Sequence, residues 1–165
     1  MNYSAIKASD VANGDGVRVS LFVSGCSNKC KGCFNPETWD FAFGKPFDAR
    51  AEDEVISLLA RPYINGLTLL GGDPFEISNQ RALLPLVLRA KKTYPEKTVW
   101  AYTGYVYDRD LPAGGRVHCE ATDALLDNID VLVDGPFVEA LKDISLRFRG
   151  SSNQRILDLR LLRGR

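Results

Sequence analysis

Apolar residues recur at two spacings along the chain, and the spacing changes at glycines and prolines. Residues 17–23, carrying Val17, Val19, Leu21, Phe22 and Val23, are β-branched and aromatic and predict a strand. Asp48 predicts the N-cap of a helix through Glu52, Val55, Ile56, Leu58 and Leu59 that stops before Pro62. A short apolar run at 67–70, ended by Gly71-Gly72, predicts a buried strand. Residues 79–94 predict a helix with Leu83, Leu84, Val87 and Leu88 on one face, weakened in its first half by Pro85. Residues 98–102 predict a strand ended by Thr103-Gly104. A short helix over 121–128 and a strand over 129–133 follow, the latter ended by Asp134-Gly135-Pro136. The last run, 155–162, alternates apolar and polar in part and predicts a closing strand.

Strands alternating with helices imply right-handed βαβ units and an α/β fold with a mostly parallel sheet. The unusual segments then share one address. The cysteine-bearing loop follows the first predicted strand, Gly71-Gly72-Asp73-Pro74 the second, Thr103-Gly104-Tyr105 the third and Asp134-Gly135-Pro136 the fourth. In a parallel sheet those ends lie together, where α/β proteins build their sites. The paired glycines fit a tight turn as well as a backbone brought close to a ligand. Asn13-Gly14-Asp15-Gly16 reads as a turn before the first strand; no helix follows to make it a phosphate loop.

Composition narrows the function classes. The 165 residues are enough for a single domain, taken as residues 1–165, and 45% hydrophobic with 25% charged residues is the balance of a globular protein. Lys plus Arg equals Asp plus Glu at 21 each, a poor basis for gripping nucleic acid through phosphates. No stretch approaches the roughly 20 apolar residues that span a bilayer, and the first residues lack the apolar core of a signal peptide. The expectation is a cytoplasmic protein that contacts neither membrane nor nucleic acid.

Of four cysteines, Cys26, Cys30 and Cys33 fall within eight residues and Cys119 is distant. That grouping suits metal binding or redox work better than a disulfide framework. Glycine, serine and asparagine around them let the backbone wrap so that three sulfurs converge, and Lys29 and Lys31 favour thiolates. Two metal readings stay open. Zinc requires a fourth ligand, from His118 or Cys119. A [4Fe–4S] cluster on three thiolates leaves one iron for a substrate or cofactor.

Cys26-x3-Cys30-x2-Cys33 after the first strand, together with Gly71-Gly72-Asp73-Pro74, resembles the cluster motif and glycine-rich segment of the radical S-adenosylmethionine enzymes. Further residues resemble the branch that activates anaerobic ribonucleoside-triphosphate reductases: Asn13-Gly14-x-Gly16, the run 21–26, Thr103-Gly104-Tyr105, the run 131–135 and Arg149-Gly150-Ser151-Ser152-Asn153-Gln154-Arg155. One departure is that many superfamily members carry an aromatic residue just before the third cysteine. Here Gly32 stands there and Phe34 follows, an arrangement the activase branch tolerates.

The resemblance implies that Cys26, Cys30 and Cys33 hold a [4Fe–4S] cluster whose fourth iron binds S-adenosylmethionine. One electron cleaves the sulfonium, and the 5′-deoxyadenosyl radical takes a hydrogen atom from a glycine Cα of the reductase's glycyl-radical subunit. It implies cofactor contacts from Gly32, Cys33, Phe34, Gly71, Gly72 and Asp73, and ribose or adenine contacts from Asp134 and Gly135. No further catalytic residue is implied. A full eight-stranded barrel needs ~250 residues, so the implied fold is a partial, open TIM-like (βα) barrel whose missing wall the partner supplies. Tyr102 and Tyr105 are expected to line the cavity, Trp100 to belong to the core, and Cys119 and His118 to stand apart from the cluster. Residues 142–165 carry seven basic and two acidic side chains. This segment is either a solvated tail or a dock for the reductase or an acidic electron donor such as reduced flavodoxin. The sequence leaves open a homodimer. The rival readings are an activator of another glycyl-radical enzyme and a non-enzymatic zinc-binding interaction module.

Overall fold

The structure is a computed structural model and describes residues 1–164. Its centre is one seven-stranded sheet. The strands are β1 (Asn2–Asp10), β2 (Arg18–Val23), β3 (Lys45–Pro46), β4 (Gly66–Gly71), β5 (Thr98–Tyr102), β6 (Val131–Asp134) and β7 (Arg155–Asp158), in the spatial order β3-β1-β2-β4-β5-β6-β7. The central four, β2, β4, β5 and β6, are parallel, as the strand–helix alternation predicts. The edges are antiparallel: β1 pairs with β2 and β3, and β7 pairs with β6. The sheet is open, with β3 and β7 at opposite edges.

The crossovers are α1 (Ala49–Leu59), α2 (Ile77–Thr93) and α4 (Thr122–Asp127); α3 (Tyr107–Asp110) and α5 (Leu159–Leu162) are single turns. Asp48 caps α1, its carboxylate accepting from the Ala51 N–H. The buried side of α2 is Leu83, Leu86, Val87 and Ala90, whereas Leu88 is 45% exposed. The helix is therefore turned from the face expected. It begins at Ile77 and buries Asn79 and Gln80, whose amides bind backbone carbonyls of Ser24, Asp73, Phe75 and Val117. The last run also differs from expectation: after β7, Asp158 accepts from the Arg160 and Leu161 N–H groups and starts α5 in place of a longer strand.

Side chains alternate across the sheet. Val19, Leu21, Leu67, Leu69, Val99, Ala101 and Leu132 pack against α1, α2 and α4 in the main core. The opposite face carries Trp100, Val131 and Val133, covered by Phe148 and Tyr102. At the N-terminal ends of the strands, Arg18 closes this second face. It is 1% exposed and donates to the hydroxyls of Thr68 and Thr98 and to the carbonyls of Asp15, Leu67 and Thr98. The Asn13–Gly16 turn wraps this plug, with the Asn13 carbonyl accepting from Thr68. With one end of the face filled, the open space lies at the C-terminal ends of the strands.

Candidate functional site

There the four parallel strands hand over to loops around a cavity of about 550 Å³, within the range of small-molecule and cofactor sites. Cys26, Cys30 and Cys33 line it, with Gly71 at the end of β4, Gly72 and Asp73 after it, Thr103 and Gly104 after β5, and Gly135 after β6. Phe22, Leu70 and Tyr102 make part of its apolar wall, and Phe148 another.

The cysteine loop is held mainly through its backbone. Gly25 N–H donates to the Thr38 carbonyl at 2.7 Å and Cys26 N–H to the Trp39 carbonyl at 3.2 Å. Lys29 takes a left-handed φ of 47°, and Cys33 N–H donates to the Cys30 carbonyl, so the chain coils back. The three thiols are free and half-buried. Burial, with the neighbouring Asp73, pushes Cys26 up to about 11, and burial raises Cys30. This corrects the expectation that the lysines favour thiolates here: Lys29 is exposed and Lys31 reaches only Glu139, at 3.9 Å.

Two buried carboxylates bind this loop to the rest of the site. Asp73 is 1% exposed, and its two oxygens accept four hydrogen bonds: from Phe75 N–H and Thr103 Oγ1 on one, and from Asn28 Nδ2 and Gly104 N–H on the other. Those four donors fill the lone-pair positions of a carboxylate. Burial pushes Asp73 up to about 7, against the opposing pull of its donors. Glu76 accepts from the Ser27 N–H at 2.7 Å, the Tyr105 hydroxyl at 2.7 Å and Ser27 Oγ at 3.2 Å. Thr103-Gly104-Tyr105 is thereby explained as a receiver for both acids.

The glycine pair has an equally local reason. Gly71 has φ +109°, and a Cβ there would stand 2.6 Å from the Val23 carbonyl oxygen. A Cβ on Gly72 would meet the Gly25 oxygen at 2.6 Å and the Thr38 oxygen at 2.9 Å. The missing side chains let β4 press against the base of the cysteine loop while both residues still line the cavity.

The other expected residues divide. Phe34 lines the cavity, 64% exposed, with its ring 5.2 Å from Phe137 and Lys142 over its face. Gly32 is exposed and outside the cavity lining. Asp134 is also outside it; its carboxylate accepts from the Tyr107 N–H and from Arg155 in an ion pair. Gly135 lines the cavity, and its carbonyl accepts from Gln154 Nε2. The 149–155 motif folds around that contact: Gln154 Oε1 accepts from the Gly150 and Ser151 N–H groups, and Arg149 donates to the Gln154 carbonyl. Tyr105 is core rather than lining, and Trp100 is 5% exposed.

His118 and Cys119 are absent from the cavity lining; His118 Nδ1 faces the Leu111 carbonyl and Cys119 Sγ sits 3.5 Å from Gln80 Oε1. Among the described residues, no three His, Cys, Asp or Glu side chains converge on a point that one metal ion could occupy. A cubane asks for a different arrangement, since each thiolate binds its own iron corner. Three thiols on one wall of a roomy cavity fit that group.

The basic C-terminal segment is less charged in space than in sequence. Arg147 pairs with Asp15, Arg155 with Asp108 and Asp134, and Arg160 with Asp158, while Arg163 donates to the Leu126 and Ile129 carbonyls. Arg165 lies outside the described residues. No helix among the described residues is long and apolar enough to cross a membrane.

Sequence reasoning missed Asn28 and Glu76. The available signal was a second acid three residues after Asp73, at the start of a helix and facing a cysteine loop rich in small polar residues.

Residues 12–157 match the family described as a 4Fe-4S single cluster domain. The chain is 45% identical over 156 residues to the anaerobic ribonucleoside-triphosphate reductase-activating protein of Haemophilus influenzae, covering 93% of this chain and 96% of that protein. It is 44% identical over 162 residues to the protein of that name from Escherichia coli K12, covering 97% and 100%. The bacteriophage T4 protein of the same name is 39% identical over 158 residues, covering 94% and 93%. An open α/β sheet with three free thiols at its C-terminal edge, and likeness along nearly its whole length, agree: the chain belongs to the 4Fe-4S family of anaerobic ribonucleoside-triphosphate reductase-activating proteins.

Proposed function

We propose that this chain activates an anaerobic ribonucleoside-triphosphate reductase by reductive cleavage of S-adenosylmethionine, as a radical S-adenosylmethionine enzyme. The observation that carries the reading is the set of three thiols on one wall of a nucleoside-sized cavity, with the nearest carboxylate, Asp73, already filled by four donors. When bound, the cluster and S-adenosylmethionine supply one electron and a 5′-deoxyadenosyl radical that takes a hydrogen atom from a glycine Cα of the reductase.

Cys26, Cys30 and Cys33 bind the cluster as thiolates, which at Cys26 and Cys30 requires loss of protons that burial favours. Gly71 and Gly72 present backbone at the methionine end of the cofactor, and Asp73 ties the cysteine loop to the Thr103-Gly104 turn beside them. Phe34, tilted against the Phe137 ring, and Gly135 with Gln154 border the remaining cavity and face the nucleoside. Gly32 supports the turn that carries Cys33, and Asp134 orients the end of β6 through Arg155. The apolar wall of Phe22, Leu70, Tyr102 and Phe148 keeps water from a reactive carbon radical.

The open sheet serves as a partial barrel, and the reductase's glycine segment closes it; a one-electron donor of the flavodoxin class completes the cycle. In this reading residues 1–165 act as one domain. The test is anaerobic reconstitution with iron and sulfide, then reduction with S-adenosylmethionine and the candidate reductase. A glycyl-radical doublet in electron paramagnetic resonance and stoichiometric 5′-deoxyadenosine are expected. Cofactor cleavage that never yields a radical on the reductase would refute the assignment.

A further inference from the structure

We propose that Glu76 is a positioning residue that keeps the reduction potential of the cluster low. This rests on the reading of Cys26, Cys30 and Cys33 as its ligands. Glu76 is 7% exposed, at the residue preceding α2, yet its side chain makes no capping bond to that helix. The carboxylate instead reaches back 49 residues in sequence to the Ser27 N–H, the first amide after Cys26. Neither Glu76 nor Ser27 lines the cavity, so the acid stands behind the loop and away from any bound cofactor.

A buried anion at the base of the cysteine loop opposes the arrival of an electron on the cluster, since its field is weakly screened there. The bond to the Ser27 N–H fixes that charge one residue from Cys26.

The Tyr105 hydroxyl donates to the same carboxylate oxygen at 2.7 Å, and the Arg116 guanidinium lies 4.8 Å over the Tyr105 ring. Arg116 in turn pairs with Asp110, so the carboxylate is held from the far side by packed groups. A strongly reducing cluster is what one-electron cleavage of a sulfonium C–S bond demands. The arrangement places a negative charge within the loop's scaffolding without using a ligand or a cavity position.

The test is Glu76→Gln, whose amide can keep all three contacts: its oxygen accepts from Ser27 N–H and Tyr105, and its nitrogen donates to Ser27 Oγ. Reconstituted protein is assayed for iron and sulfide, then titrated potentiometrically by electron paramagnetic resonance without S-adenosylmethionine. Full cluster content is expected, with the reduced-to-oxidised ratio at a given potential raised about tenfold, or about 59 mV for one electron. Glu76→Asp, which restores the charge, should move the ratio back toward wild type. An unchanged potential in E76Q, an equal shift in E76D, or loss of the cluster from E76Q each overturns the assignment. Wild-type protein that takes up no cluster on the three cysteines overturns the ligand reading instead, and does so before any variant is compared.

Discussion

Replacing Asp73 by Asn should loosen the cysteine loop from the sheet. The carboxylate accepts from Phe75 N–H, Thr103 Oγ1, Asn28 Nδ2 and Gly104 N–H, at 2.8 to 3.0 Å. An amide keeps one acceptor oxygen and turns the other into a donor; the Thr103 hydroxyl or the Asn28 amide can turn to accept from it, but in either orientation one backbone N–H, of Phe75 or Gly104, loses its partner. Each buried group left unpaired costs about 1–3 kcal/mol. Relief from burying a charge offsets part of this, since burial already pushes Asp73 up to about 7. The expected net loss is roughly 1–2 kcal/mol, a measurable share of the ~5–15 kcal/mol that stabilises a domain. Urea unfolding of the metal-free protein should show the midpoint fall at unchanged slope. Reconstitution should give less iron per chain, because Asn28 sits between Cys26 and Cys30. D73N with wild-type stability and full iron would refute the view that Asp73 clamps the loop.

Other variants probe separate parts of the account. Gly72→Ala forces a Cβ to within 2.6 Å of the Gly25 oxygen and should lower iron and sulfide content by more than half while leaving helical circular dichroism intact. Arg18→Met strands the carbonyls and hydroxyls that the guanidinium serves and should cost about 3–5 kcal/mol in urea unfolding. Cys119→Ser should leave the iron content unchanged, since Cys119 faces Gln80 away from the cavity. Asp10 is raised by burial but held below the usual carboxylate value by the stronger sum of donors from Asn13, Ser20 and Ala12. Its stabilising effect is therefore full above about pH 4 and lost as pH falls through the lowered value. Asp10→Asn should flatten that acid limb in pH-dependent unfolding.

The four parallel strands and their three crossover helices were legible because burial on a sheet face and helical spacing leave unmistakable periods. β1 escaped because it lies next to the sheet edge, flanked outside by only the two-residue β3: its residues, NYSAIKASD, mostly alternate between half-buried and exposed and carry little β-branched signal. The end of the chain was misread because Asp158 looks like a polar strand position, and only its bonds to the Arg160 and Leu161 N–H groups reveal a helix cap. The thiols and glycines of the site could be found from spacing alone. Most partners of Asp134, Asp73 and Glu76 could not, because those pairings join segments separated by many residues. Charge counting along residues 142–165 does not see that Asp15, Asp108 and Asp134, from elsewhere in the chain, pair with Arg147 and Arg155.

The most direct measurement is the electron paramagnetic resonance spectrum of the reduced, reconstituted protein recorded with and without S-adenosylmethionine. If Cys26, Cys30 and Cys33 are the cluster's sole protein ligands, the addition shifts the spectrum, as a new donor set reaches the open iron. An identical spectrum at saturating S-adenosylmethionine, from protein carrying a full cluster, would contradict the account.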